Sequence, residues 1–117
     1  MNGNDIVIVS ATRTAIGKFG GQFATTSAIE LGTAVAKSAI QKAKLSPEQI
    51  DTVIFGNVLQ AGLGQNPARQ VGLKAGLLHS STALTVNEVC GSGLKAIILA
   101  AQSLRLGDAK IVLAGGM

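Results

Sequence analysis

The one cysteine of this chain, Cys90, lies between an apolar run and a glycine-rich stretch that begins a predicted helix. The first turn of a helix has unpaired backbone N–H groups and the positive end of the helix dipole, and both favour the thiolate form of a nearby cysteine. The thiolate is the nucleophile in covalent catalysis by cysteine. The backbone N–H of Cys90 is also placed to help bind a developing oxyanion if a second donor lies nearby. Residue type and position therefore leave two interpretations of Cys90, a catalytic nucleophile and the inert structural residue that most single cysteines are.

Two glycines follow the cysteine, Gly91 and Gly93, in the first turn of the predicted helix. Each costs about 1 kcal/mol relative to alanine in a helix, which indicates that something approaches the backbone closely. A substrate and a tightly packed second helix both account for this pattern. Ser92 does not fit the Gly-x-Ser-x-Gly nucleophile motif of hydrolases, because Cys90 and Leu94 occupy its two glycine positions.

Other polar residues give weaker signals. The pair Gly62-x-Gly64 is similar to the start of a dinucleotide-binding loop, but Pro67 stands where the third glycine belongs and no acidic residue lies near position 82. Lys18, in a glycine-rich loop, is interpreted as an ordinary solvated lysine. Neither position therefore predicts a nucleotide or phosphate site.

Arg69 lies early in a predicted helix and is interpreted as a structural hydrogen-bond donor at an interface rather than a substrate ligand. His79, the one histidine, is expected in a surface loop without a catalytic role. One cysteine and one histidine far apart in sequence make no metal site, so no metal is predicted. No cofactor-binding residue is predicted either, and the substrate-binding residues stay unassigned.

The composition is unusually poor in charge. Charged residues make up 14% of the 117 residues and hydrophobic residues 47%, whereas charged residues are roughly 25% of a typical globular chain. Such a chain is expected to bury more than one face against something else, as a fragment or an obligate subunit does. The net charge of +4 is spread along the sequence, and tryptophan and tyrosine are absent, which disfavours nucleic-acid binding.

The cysteine count and the hydropathy pattern indicate the cellular compartment of the protein. One cysteine rules out an internal disulfide and fits a reducing compartment. The sequence has neither the basic start and apolar core of a secretory signal nor a window of roughly 18 uninterrupted apolar residues. We therefore predict a soluble cytoplasmic protein that does not enter a membrane.

Short apolar runs alternate with helical patterns along the chain. Strands are predicted at residues 6–9, 52–59, 84–89 and 110–114. The first helix follows the capping box of Ser27 and Glu30 and places Leu31, Val35 and Ala39 on one stripe; a single short turn begins at Ser46. The second helix follows Asn66-Pro67, with Val71, Ala75 and Leu78 on one face. The third runs from about Cys90 to Leu106 and stops at Gly107.

This alternation predicts an α/β fold with a mainly parallel sheet and right-handed crossovers. The third helix is apolar nearly all round, so we expect it to be central and buried. Ligand sites in such sheets lie beyond the carboxyl ends of the strands, and Cys90 is at one of those ends. The sheet looks unfinished after its fourth strand.

Four segments resemble motifs of the thiolase family, in the order in which that family has them. TVNEVCGSGLKAI at residues 85–97 resembles the acyl-carrying cysteine motif, and the others are RTAIGKFGG at 13–21, GLGQNPARQ at 62–70 and AGGM at 114–117. They span the whole chain, and the pattern is similar to the acetyl-CoA acetyltransferase branch. The resemblance implies a thiolase-like layered fold, of which residues 1–117 are the first part of the N-terminal domain.

The resemblance also implies a reaction. Cys90 would attack an acyl-CoA thioester and carry the acetyl group as a new thioester, with its backbone N–H in an oxyanion hole. A second acetyl-CoA would then attack to give acetoacetyl-CoA and CoA, reversibly. Coenzyme A thioesters are substrates here rather than cofactors. The strand from Leu84 to Val89 is implied to lie near the interface of a dimer or tetramer.

The chain departs from the family in its length. Thiolases are roughly three times longer and supply an activating histidine, a second cysteine and much of the coenzyme A-binding surface downstream. One hypothesis is therefore that a C-terminal part of the same enzyme completes the site. The alternatives are a catalytically inert truncated fragment that only assembles as a scaffold, or a segment of a related cysteine condensing enzyme such as a ketoacyl synthase.

Overall fold

The computed structural model describes residues 3–117 and contains three parallel strands and three helices. The strands are β1 (Thr52–Gly56), β2 (Thr82–Val86) and β3 (Val112–Gly116), and the helices are α1 (Ala28–Lys42), α2 (Pro67–Lys74) and α3 (Ser92–Leu106), with a 3-10 turn at Pro47–Gln49. The strand order is β2-β1-β3, and both neighbouring pairs are parallel. The predicted α/β fold with a parallel sheet is confirmed.

The central strand divides the core into two clusters. Val53 and Phe55 of β1 pack with α1 and α2, whereas Ile54 packs with α3 on the opposite face. The chain moves outward from β1 to β2 through α2 and then returns past β1 to β3 through α3. Because the direction of travel reverses, crossovers of one handedness place α2 and α3 on opposite faces of the sheet. The result is three layers, helix–sheet–helix.

Helix α1 begins as the sequence predicts, and its predicted stripe borders the most buried face. Ser27 and Glu30 form both hydrogen bonds of the capping box. The fully buried residues are Ile29, Gly32, Ala36 and Ile40, and Val35 and Ala39 of the predicted stripe are partly buried against the same core. Gly32 sets this face, because a Cβ there would lie 3.0 Å from Val71 of α2 and 2.7 Å from the Met117 sulfur.

Helix α2 also begins at its predicted signal. Asn66 accepts a hydrogen bond from the Arg69 N–H, and Pro67 occupies the first turn. Val71 and Ala75 are buried as predicted. Leu78 is 47% exposed, because the helix ends at Lys74 and the chain turns away before reaching it.

Helix α3 is buried on one face alone. Ser92, Ala96 and Ala100 are buried, and Gly107 ends the helix with a positive φ of 80°. Leu94 and Ile97 on the other face are exposed. The expected burial on all sides is therefore not met within residues 3–117, since a three-stranded sheet covers only one side of a helix.

The 18-residue stretch Val89–Leu106 has a mean hydropathy of 1.2. Its length and its composition are both sufficient for a membrane-spanning helix. One such stretch is weak evidence for a span, because core helices of soluble proteins have the same composition. The helix itself has 15 residues and a length of about 22 Å, shorter than a hydrocarbon core of about 30 Å.

The strand predicted at residues 6–9 does not form. Val7, Ile8 and Val9 are exposed, and Ile8 reaches 77%. The segment that follows lies on α1, where the Ser10 hydroxyl donates to the Ala39 carbonyl at 2.7 Å. A strand needs a hydrogen-bonded neighbour, and none of the three described strands pairs with these residues.

The other strand boundaries shift by a few residues. β1 ends at Gly56 instead of residue 59, β2 ends at Val86 instead of residue 89, and β3 begins at Val112 instead of residue 110. The β2 shift matters most for function. It leaves residues 87–91 outside regular structure, between the strand and α3.

Asp51 links the amino ends of β1 and β3 by hydrogen bonds, and this link predicts that the stability of the fold depends on pH. Its carboxylate accepts the N–H groups of Ile111 at 3.0 Å and Lys110 at 2.7 Å, and these two hydrogen bonds lower the pKa of Asp51. A carboxyl whose folded pKa is depressed stabilises the fold at higher pH, and this stabilisation is lost as pH falls through the folded value.

We therefore expect Asp51→Asn to be less stable than the parent at neutral pH, with the difference disappearing in acid. The measurement is the urea unfolding midpoint of both proteins at neutral pH and at about pH 3. A deficit of the same size at both pH values would contradict the assignment.

Candidate active site at the Cys90 elbow

The Cys90 elbow, residues 87–93, joins the carboxyl end of β2 to the first turn of α3. Cys90 is exposed and carries a free thiol. The side chain predicted as a nucleophile therefore lies at the carboxyl edge of the sheet, where substrates of parallel α/β proteins bind.

The elbow is built around an unusual backbone conformation. Val89 has a φ of +52°, in the left-handed region that β-branched residues rarely adopt. Its N–H donates to the Asn87 side-chain oxygen at 2.9 Å. Its carbonyl accepts the Ser92 hydroxyl at 2.6 Å and the Ser92 N–H at 3.2 Å. The surrounding hydrogen bonds thus hold a conformation that valine alone does not favour.

Ser92 connects the two sides of the turn. Its hydroxyl accepts the Glu88 N–H at 2.9 Å and donates to the Val89 carbonyl. The residue is 4% exposed. Sequence reasoning considered Ser92 only as a hydrolase nucleophile and missed this structural role. A serine two positions after a cysteine at a helix start gives only a weak signal for it, because serine also caps helices locally.

The start of α3 faces the elbow without a side-chain cap. The N-cap residue is Gly91, which has no side chain that could accept a hydrogen bond from the first turn. The Lys95 N–H donates to the Gly91 carbonyl at 2.9 Å. An uncapped helix start presents N–H groups and the positive end of the dipole. The helix begins at Ser92 rather than at Cys90, so Cys90 precedes the first turn.

One ion pair lies across the elbow. The Lys95 ammonium is 3.3 Å from a Glu88 carboxylate oxygen, and both side chains are partly exposed. An exposed pair of this kind stabilises a fold by about 1 kcal/mol or less. Its electrostatic role is to offset the negative charge of Glu88 two residues before Cys90.

Three glycines bring α3 onto the strand ends. A Cβ on Gly56 would lie 2.4 Å from the Ser92 carbonyl carbon, and a Cβ on Gly116 would lie 3.3 Å from the Gly93 Cα. Strand backbone approaches the Gly93 nitrogen and Cα, but a Cβ on Gly93 itself would lie 4.0 Å from the Gly116 Cα, so these contacts require glycine at positions 56 and 116 rather than at 93. Gly91 makes no such contact, since a Cβ there would be 3.5 Å from the Glu88 oxygen.

Asn57 links the strand ends beneath the elbow and was also missed from sequence. Its N–H donates to the Val86 carbonyl at 3.0 Å and its side-chain amide donates to the Met117 carbonyl at 3.1 Å. The side chain is buried, and its oxygen has no hydrogen-bond partner among residues 3–117. An asparagine after a strand usually signals a turn, so sequence gives no indication of this bridging role.

The remaining sequence candidates lie elsewhere. Arg69 donates to the Ser81 carbonyl at 2.6 Å and to the His79 carbonyl at 2.8 Å, so it is a structural hydrogen-bond donor within the chain, and its place at an interface stays a prediction. His79 is exposed in the loop before β2. Because β2 spans about 15 Å and Cys90 follows its other end, His79 is too far away to activate Cys90.

In the described structure, the loops that contain Lys18 and Gly62 bring no set of reactive side chains together. Gly62 and Gly64 have positive φ values of 79° and 84°, and Gly62 lies in a turn. Lys18 is exposed, and its carbonyl accepts the Gly21 N–H. Within the described part of the chain, no three His, Cys, Asp or Glu side chains form a group that could hold a metal ion.

Comparison with known proteins extends these observations. Residues 6–117 match the family model for the thiolase N-terminal domain. Acetyl-CoA acetyltransferase from Escherichia coli (strain K12) is 60% identical over 111 residues, which cover 95% of this chain and 28% of that protein. The cytosolic acetyl-CoA acetyltransferase of Mus musculus is 54% identical over 112 residues, covering 96% and 28%. The chain thus spans less than a third of these relatives' length.

A solved structure agrees with the sequence matches. The crystal structure of Acat5 thiolase from Ascaris suum in complex with coenzyme A superimposes with a TM-score of 0.92 and 45% sequence identity. The match covers 93% of this chain and 28% of that one. The layered fold is therefore thiolase-like, and the chain belongs to the thiolase family.

Proposed function

We propose that this chain is the first part of the N-terminal domain of a longer acetyl-CoA C-acetyltransferase, and that Cys90 is its acyl-carrying nucleophile. The observation that carries the proposal is an exposed thiol on a rigid turn before an uncapped helix, in a chain about 60% identical to acetyl-CoA acetyltransferases. The coenzyme A bound in the Ascaris suum thiolase supports a coenzyme A thioester as the substrate. No cofactor is needed for this chemistry.

The first half-reaction transfers an acetyl group to the protein. The Cys90 thiolate adds to the thioester carbonyl of acetyl-CoA, and the tetrahedral oxyanion that forms is stabilised by backbone N–H groups, including that of Cys90. The intermediate collapses with loss of the CoA thiolate and leaves acetyl-Cys90. One thioester replaces another of similar energy, so the step is readily reversible.

The second half-reaction forms the carbon–carbon bond. The α-carbon of a second acetyl-CoA loses a proton, and the resulting carbanion attacks the acetyl-Cys90 carbonyl. The products are acetoacetyl-CoA and the free Cys90 thiolate. This half needs an acid–base group beside Cys90, and His79 is at the wrong end of β2. We therefore assign the proton transfers to residues in the remainder of the enzyme.

The exposed apolar surfaces support assembly with further protein. The exposed residues of α3 include Leu94, Ile97 and Ile98, and Leu84 of the edge strand β2 is 47% exposed. We propose that these surfaces are covered by the C-terminal part of the enzyme and by a second subunit, in a dimer or tetramer whose interface lies near the strand from Leu84 to Val89. A cytoplasmic location is supported by the cytosolic relatives.

The test is intact mass spectrometry of the full-length enzyme before and after incubation with acetyl-CoA, followed by peptide mapping. We expect the mass of one acetyl group on Cys90, removable by free CoA. Incubation with CoA alone is the control. An enzyme that turns over acetyl-CoA with the acetyl group on another residue would refute the assignment, and an assembled enzyme with neither adduct nor turnover would favour the inert-scaffold alternative.

A further inference from the structure

We propose that Ser92 is a positioning residue for acyl transfer: its hydroxyl fixes the direction in which the backbone N–H of Cys90 points. The proposal rests on the proposed function and adds to it a residue that acts through the peptide group before the nucleophile. Ser92 itself touches no reacting atom in this scheme. Its effect is exerted through the Val89 carbonyl.

The Ser92 hydroxyl makes all of its hydrogen bonds inside the turn. Its hydroxyl receives one hydrogen bond, from the Glu88 N–H at 2.9 Å, and donates one, to the Val89 carbonyl at 2.6 Å. A serine hydroxyl has a single proton to donate, and Ser92 uses it inside the elbow. The residue is 4% exposed, so water does not compete freely for these bonds.

The peptide plane between Val89 and Cys90 transmits the effect of Ser92. The Val89 carbonyl and the Cys90 N–H belong to one planar trans peptide, since the described residues contain no cis peptide bond. In a trans peptide the C=O and N–H point in opposite directions. Ser92 holds the Val89 carbonyl with both its hydroxyl and its N–H. The Cys90 N–H therefore points away from Ser92 and from the buried start of α3.

The orientation of this peptide plane depends on the hydrogen bonds around Val89. Val89 has a φ of +52°, and a β-branched residue relaxes out of the left-handed region when its restraints are removed. Relaxation of Val89 rotates the peptide plane and with it the Cys90 N–H. The Cys90 sulfur, which belongs to the side chain, is displaced less than the Cys90 N–H. Ser92 thus acts on the oxyanion donor more than on the nucleophile.

The test compares Ser92→Ala with the parent in the full-length enzyme, using two rates. Loss of one oxyanion donor costs about 10²–10³-fold in kcat in other enzymes, so misdirecting one is expected to lower kcat by about tenfold to a hundredfold. The KM for acetyl-CoA should change little. Alkylation of Cys90 by iodoacetamide forms no oxyanion, so its rate should stay within about threefold of the parent.

Two further variants control for folding. Ser103→Ala removes a hydroxyl from the same helix outside the elbow and should leave both rates unchanged. Ser92→Thr keeps the hydroxyl and should retain most of kcat, which provides a test if Ser92→Ala does not fold. All variants are purified as the assembled enzyme before measurement.

The outcomes separate the two proposals. A parent enzyme that transfers acetyl groups, with Ser92→Ala equally active, overturns the role of Ser92 and leaves the proposed function standing. A parallel fall in kcat and alkylation also overturns it, because Ser92 would then act on the thiol or the fold. A full-length parent with no acetyl transfer overturns the proposed function and this inference together.

Discussion

Cys90→Ser is expected to lower the rate of acetyl transfer by about 10³-fold or more in the full-length enzyme, in line with the loss of a nucleophile in other covalent catalysts. Serine keeps the size and a hydrogen-bonding group but is not ionised near neutral pH, so it does not attack a thioester unaided. The measurement is the thiolysis of acetoacetyl-CoA by CoA, with both substrates saturating. The condensation direction should fall in parallel.

The same substitution should leave the fold intact. Cys90 is exposed, and surface substitutions outside special features change the free energy of unfolding by about 0.5 kcal/mol or less. Thermal unfolding and assembly state are the controls for that expectation. Turnover by Cys90→Ser within about tenfold of the parent would mean that another residue carries the acetyl group.

Gly56→Ala is expected to destabilise the protein by about 3 kcal/mol, at the upper end of overpacking effects. The added Cβ would lie 2.4 Å from the Ser92 carbonyl carbon and 2.6 Å from the Gly93 nitrogen. Both are backbone atoms, which cannot move aside by changing a rotamer. The measurement is the urea unfolding midpoint of the full-length enzyme, with turnover measured on the folded protein.

The matched control is Gly91→Ala, one residue before α3. Its added Cβ would have the Glu88 oxygen at 3.5 Å as its nearest neighbour, and its φ of −85° suits alanine. Gly91→Ala should therefore change the unfolding midpoint much less than Gly56→Ala. Equal losses of stability in the two variants would mean that backbone contact does not explain the requirement for glycine at position 56.

The features predicted correctly from sequence are those encoded by a few adjacent residues. The capping box of Ser27 and Glu30, the Asn66-Pro67 helix start and the Gly107 helix stop all form as predicted. Each is a local hydrogen-bonding or φ requirement that one residue type satisfies best. Cys90 lies between a strand and a glycine-rich helix start as predicted, because that start is a local pattern, although residues 87–91 separate the two elements.

The features that sequence did not reveal depend on distant partners. The run at residues 6–9 has strand composition but no neighbouring strand within the described chain. The most buried face of α1 includes Gly32, which lies against Val71, 39 positions later in sequence. The roles of Ser92 and Asn57 rest on backbone groups that the fold brings to them, and no residue pattern records those groups.

The close backbone contact among Gly56, Gly93 and Gly116 limits which substitutions the protein can accept during evolution. Where side chains separate two elements, a substitution on one side can be absorbed by repacking on the other. Here backbone rests directly on backbone, so the junction has no adjustable parts. Non-bonded backbone contacts therefore hold the start of α3, and with it the Cys90 elbow, against the strand ends. Substitutions at Gly56 and Gly116 are expected to be tolerated less well than substitutions where side chains separate the helix from the sheet.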